Sequence, residues 1–137
     1  EMMQEVAKTV AKYGDDAPKV LAVTVLTSLN DENLDAVGQK VPAKEQVVRL
    51  AKLTKEAGLS GVVCSAHEIE AIRAACGDDF ALMVPGIRPA GSAVGDQKRV
   101  MTPSEAVSKG ATHLVIGRPI TKADDPKEAV QAILESI

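Results

Sequence analysis

Val84 to Gly91 reads VPGIRPAG, and Val115 to Thr121 reads VIGRPIT. Each stretch closes an apolar run with a glycine, and an arginine–proline pair follows within two residues. Gly86 and Gly117 allow a backbone to approach a ligand closely, while Arg88 and Arg118 can each present a planar fork of donors to an oxyanion. One such motif reads as a turn glycine beside a solvated arginine. Two of them, on successive strands, read as an anion clamp.

Working outward, the apolar runs are Val20 to Leu26, Gly61 to Cys64, Ala81 to Val84 and Leu114 to Ile116. They are nearly continuous in Val, Leu, Ile, Met and Ala rather than alternating with polar residues, the pattern of parallel strands covered on both faces. Helical patterns separate them. Over residues 43–57, Val47, Leu50, Ala51, Leu53 and Ala57 make an apolar stripe that Gly58 terminates. Ser65 with Glu68, Thr102 with Glu105 and Asp125 with Glu128 fit capping boxes, and Pro103 and Pro126 stand at the first helical position. Residues 1 to 13 carry a further amphipathic pattern ending near Gly14. The order is α/β, with four strand-plus-helix units of roughly thirty residues each.

Four parallel strands suit either a small open sheet or half of a (β/α)8 TIM barrel. In such barrels the loops after strands seven and eight commonly build a phosphate site, so the paired Gly/Arg-Pro tails favour strands five to eight of a half barrel. The chain opens inside a helical pattern without a capping residue, from which a longer parent protein is expected.

Composition excludes several classes. The 137 residues are 45% hydrophobic and 26% charged, as in one ordinary globular domain. Sixteen basic against nineteen acidic residues, with Tyr13 and Phe80 the only aromatics, provide neither the basic field nor the stacking rings of a nucleic-acid binder. No apolar stretch approaches the roughly 20 residues of a membrane span, and no signal segment opens the sequence, so a cytoplasmic location is expected. Cys64 and Cys76 lack the spacing of a zinc site and read as buried, reduced thiols. No metal is expected.

Ala90 to Met101, AGSAVGDQKRVM, is long and polar enough for a binding loop, in which Gln97 could bridge two parts of one ligand or be an ordinary surface glutamine. Thr27 and Ser28 end the first strand with hydroxyls that could meet a polar ring or cap the turn from Asn30 to Asp35; the residues alone favour the cap. His67 and His113 read as structural or solvated, and Asp96 has no carboxylate partner in the sequence pattern.

The segments VLAVTVLTSL, GLSGVVCSAHE, MVPGIRPAGSAVGDQKRVMTPSEA and HLVIGRPIT closely resemble the C-terminal half of bacterial orotidine 5'-phosphate decarboxylases. That family is a dimeric TIM barrel that converts orotidine 5'-phosphate to UMP and carbon dioxide, without a metal or organic cofactor, in pyrimidine biosynthesis. The resemblance implies that Thr27 lies by the pyrimidine, that Arg88 and Gln97 belong to the loop over the nucleotide, and that Gly117 and Arg118 hold the 5'-phosphate. The family's catalytic DxKxxD motif is absent from these 137 residues. The resemblance therefore implies one domain, residues 1–137, that is the C-terminal half of the barrel, with no catalytic residue of its own and inactive alone. Its partners would be orotidine 5'-phosphate or UMP, and a second copy in a homodimer or the missing N-terminal half barrel. A non-catalytic nucleotide-binding or self-associating half barrel, and another sugar-phosphate barrel enzyme, are the rival readings.

Overall fold

A computed structural model describes residues 1–40, 42–91 and 99–137. Helix α1, Met2–Val10, tightens into a 3-10 segment over Ala11–Asp16, within which Gly14 takes a positive φ of 54°. Strand β1, Leu21–Val23, leads to α2, Asp31–Ala36, and α3, Ala43–Glu56. Strand β2, Gly61–Val63, is followed by a 3-10 turn, Ala66–Glu68, and α4, Ile69–Cys76. Then come β3, Ala81–Val84, α5, Pro103–Ser108, β4, His113–Leu114, α6, Arg118–Thr121, and α7, Pro126–Glu135. All four expected strands are present, each pairing in parallel with the next in the spatial order β1-β2-β3-β4. A doubly wound sheet reverses its strand order at a switch point; this sheet never does, which is how a segment of barrel wall is built.

The ladder explains which side of the sheet is filled. Ala22, Val62 and Leu82 share one register row and Val23, Val63, Met83 and His113 the next, so the rows point to opposite faces. Val62, Leu82 and Val84 are fully buried with Val47 and Ala51 of α3, Ile69 and Ile72 of α4, and Ala106 of α5. On the other face Val23 is 59% exposed and Val115 44% exposed. The apolar composition of these strands thus anticipates cover on both faces, and the described residues supply it on one.

The helix starts divide by mechanism. Thr102 and Glu105 form the full reciprocal box. Asp125 caps α7 alone, through Lys127 N at 2.9 Å and Glu128 N at 3.0 Å. Ser65 accepts from His67 N at 3.3 Å, and the Glu68 carboxylate, which turns inward to Arg99, is also favoured in its charged form by the Ser65 backbone N–H. Asn30 and Asn33 form a reciprocal box on α2, so the capping read onto Thr27 and Ser28 belongs to Asn30 instead.

At the N-terminal ends of the strands, Arg73 acts as a hub. Its Nε and Nη2 donate to the Gly110 carbonyl at 3.1 and 2.7 Å, and its Nη1 donates to the carbonyls of Gly77, Asp78 and Phe80 at 2.9, 3.0 and 2.6 Å. One planar fork thereby fixes the turns that precede β3 and β4.

Two outcomes follow from this packing. A Cβ on Gly61 would lie 2.1 Å from the Ala81 carbonyl oxygen, so Gly61→Ala must force β2 from β3 and should lower unfolding stability in urea by about 3 kcal/mol. Cys64 is buried and free, and burial, reinforced by the nearby Glu68 charge, pushes its thiol up to about 12. Because the thiolate is the reactive form, Cys64 should resist a thiol reagent at pH 8 in the folded chain and react readily in denaturant, as mass spectrometry of labelled peptides would record.

Candidate functional site

The C-terminal ends of β1, β3 and β4 open into one cleft of about 250 Å³, lined by Thr27, Pro85, Gly86, Arg88, Val115, Gly117 and Arg118. Each side chain arrives there for a local reason. Thr24 donates both its amide, at 3.1 Å, and its hydroxyl, at 2.7 Å, to the Val63 carbonyl, and the β1 ladder stops there. The chain then buries Val25 and carries Thr27, only 7% exposed, to the cleft. After β3, Gly86 takes a φ of 78°, a conformation that would strain any side-chain-bearing residue, and turns the chain so that Ile87 enters the core. Ile87 pairs with Met101 in an isolated parallel bridge, and Arg88 N donates to the Met101 carbonyl at 2.9 Å. After β4, the carbonyl of Gly117 accepts from Ile120 N and Thr121 N, which starts α6 with Pro119 in its first turn.

The electrostatics of the lining are one-sided. Arg88 is 8% exposed and holds its guanidinium partly through the Ile87 carbonyl, at 2.8 Å from Nη1; Arg118 is exposed at the rim. Among the described residues that line the cleft none is a carboxylate. Two guanidinium groups converging on a small concavity can receive an anion, and about 250 Å³ suits a phosphate with part of a sugar rather than a whole nucleotide. Gly117 has no atom within 4 Å of where a Cβ would stand, so its glycine is not demanded by packing.

Of the residues singled out from sequence, Thr27, Arg88, Gly117 and Arg118 meet in this cleft together with Gly86. Gln97 and Asp96 lie outside the described residues. His67 is a structural residue, donating from Nε2 to the Val100 carbonyl at 3.1 Å. Among the described residues no group of three or more His, Cys, Asp or Glu side chains could hold a metal ion, and no helix is long and apolar enough to cross a membrane. A groove of about 530 Å³ lies elsewhere, between α5 and α7, but Pro103, Pro119, Ala129 and Ile133 give it an apolar lining without convergent charge.

Sequence reasoning missed one cluster next to the site. Arg99 Nη1 pairs with Glu68 Oε1 at 2.5 Å, while Nη2 donates to the carbonyls of Val25 and Leu26 at 3.3 and 3.2 Å. Burial pushes the Glu68 carboxyl above the usual range, and Arg99 works against that shift. The capping-box spacing from Ser65 supplied a sufficient local role for Glu68 and concealed the distant one.

A family model described as "Orotidine 5'-phosphate decarboxylase / HUMPS family" matches residues 1–133. The chain is 56% identical over 136 residues to an orotidine 5'-phosphate decarboxylase of Shewanella sediminis, covering 99% of this chain and 58% of that protein. It is 55% identical to the one of Haemophilus influenzae strain PittEE, again with 99% of this chain and 59% of the relative. Among solved structures, orotidine 5'-phosphate decarboxylase from Lactobacillus acidophilus superposes with a TM-score of 0.80 at 39% identity, over 98% of this chain and 57% of that one. The enzyme from Pyrococcus horikoshii OT3, at a TM-score of 0.57 and 23% identity over 99% of this chain and 67% of that one, shares the fold. The chain therefore spans a little under three fifths of the length of the curated relatives it matches. With its parallel sheet, its flanking helices and a family match along almost its whole length, this chain belongs to the orotidine 5'-phosphate decarboxylase / HUMPS family.

Proposed function

We propose that the chain is the C-terminal part of an orotidine 5'-phosphate decarboxylase, supplying the phosphate grip and part of the pyrimidine contact of an enzyme that forms UMP and carbon dioxide. The observation that carries this reading is the meeting of Thr27, Gly86, Arg88, Gly117 and Arg118 in one cleft at the strand ends. Arg88 and Arg118 bind the 5'-phosphate, Gly117 lets the backbone approach it, and Thr27 faces the pyrimidine. Gln97, on the segment between Gly91 and Arg99, links the two ends of the nucleotide.

The chemistry divides in the same way. Loss of carbon dioxide leaves an electron pair on C6 of the ring with little resonance relief, and the pair must be stabilised electrostatically and then take a proton. A lysine ammonium framed by carboxylates does both, from the DxKxxD motif that these 137 residues lack. What this chain contributes is remote binding energy on the phosphate, usable for stabilising the transition state at the ring. The exposed sheet face around Val23 and Val115 is where the rest of the barrel would close, supplied by the preceding half or, in a self-associated form, by a second copy.

Two measurements test this. UMP should bind the chain in preference to ribose 5-phosphate, and Arg118→Ala should weaken UMP about 10- to 100-fold while changing uridine little, since removing a charge-assisted bond to phosphate costs roughly 1.5–3 kcal/mol. Equal losses for both ligands in calorimetry would remove Arg118 from the phosphate role, and a preference for simple sugar phosphates would favour a different barrel enzyme. The chain alone should release no carbon dioxide from orotidine 5'-phosphate, and activity should appear when it is joined to the part of the Shewanella sediminis relative that it does not match. Turnover by the chain alone would refute the assignment of the catalytic group to other polypeptide.

A further inference from the structure

We infer that Glu68 and Arg99 are a positioning pair for Thr27, setting where its hydroxyl stands relative to the two arginines of the cleft. Neither side chain lines that cleft. They line a separate concavity with Asn30, Asp31 and His67, and the path from there to Thr27 is short. Glu68, 3% exposed on the turn after β2, holds Arg99 Nη1 at 2.5 Å. The other terminal nitrogen of the same guanidinium donates to the carbonyls of Val25 and Leu26, the two residues immediately before Thr27. One planar group thus ties β1's outgoing chain to the element that follows β2.

The energetics favour positioning over stability. Glu68 Oε2 and Arg99 Nε are buried and have no hydrogen-bond partner among the described residues. A buried pair with orphaned atoms incurs a desolvation cost that its Coulombic gain rarely exceeds, and apolar replacements of similar volume often leave such sites as stable or more so. What an apolar pair would lose is direction, because only a fork can bond a carboxylate and two carbonyls at fixed angles. The neighbouring contacts fix the fork's own backbone: His67 holds the Val100 carbonyl at 3.1 Å, and Met101 bridges to Ile87. The chain that follows Arg99 is thus held at Val100 and Met101, and the guanidinium reaches from there to the carbonyls just before Thr27.

The inference rests on the functional reading above, in which Thr27 faces the pyrimidine and Arg88 and Arg118 face the phosphate, and this separation provides the test. Arg99→Lys keeps the charge and loses the fork; Glu68→Gln keeps the shape and loses the charge. In the full chain, each should weaken UMP about tenfold and leave ribose 5-phosphate within about twofold, because only the pyrimidine end is misplaced. In a Thr27→Ala background Arg99→Lys should have no further effect on UMP. Should Arg99→Lys fail to fold, Glu68→Gln carries the same comparison. Parallel losses for UMP and ribose 5-phosphate, or additive effects of the Thr27 and Arg99 changes, would overturn the positioning role while leaving the functional reading intact. A wild-type chain that binds ribose 5-phosphate as well as UMP would overturn both.

Discussion

Parallel pairing of β3 with β4 is the constraint on which the site depends. Met83 lies opposite His113 and Val84 opposite Leu114, and the ladder extends one bond further as Val115 N donates to the Val84 carbonyl at 3.0 Å. That register sets two glycine-arginine tails side by side. A slip of one residue would turn the buried row of the sheet outward, and a slip of two would keep the faces but move one tail by about 6.6 Å against the other, beyond the span of a single phosphate. Burial of Leu82 and Val84 against α4 and α5 makes the observed register the one that fills the core.

From that register the site's character follows in steps. The strands end at similar heights, so their outgoing loops share one rim. Glycine at each turn keeps side chains off the rim at those two positions, and Arg88 and Arg118 supply its positive charge. The cleft is small, about 250 Å³, and the sheet face around Val23 and Val115 stands uncovered among the described residues.

Much of this was legible in the sequence because its signals are local. Continuous apolar runs located all four strands, and Gly58, Pro103 and Pro126 marked helix boundaries correctly because backbone conformation at those positions depends on the residue itself. The strands came out shorter than their apolar runs where tertiary contacts took over: Val25 is apolar because it enters the core beyond the end of β1, not because it extends the ladder. Helix α2 escaped notice since its six residues offer no apolar stripe, only the Asn30–Asn33 cap. For the candidate site, the repeated tails pointed to Arg88 and Arg118, which line the cleft, whereas Thr27, which also lines it, needed the family resemblance to rise above a turn residue. The Glu68–Arg99 pair spans 31 positions in sequence, and no periodicity announces a contact of that kind.

The Arg73 hub fastens the turns before β3 and β4, at the opposite ends of the strands from the cleft. Anchoring and recognition therefore occupy separate poles of the same strands. Drift in the loops of the binding pole leaves the anchored pole untouched, so descendants of such a chain can acquire new ligand preferences by altering a few rim residues while inheriting the scaffold unchanged. A protein engineer would have the same freedom, provided the register between β3 and β4 is left alone.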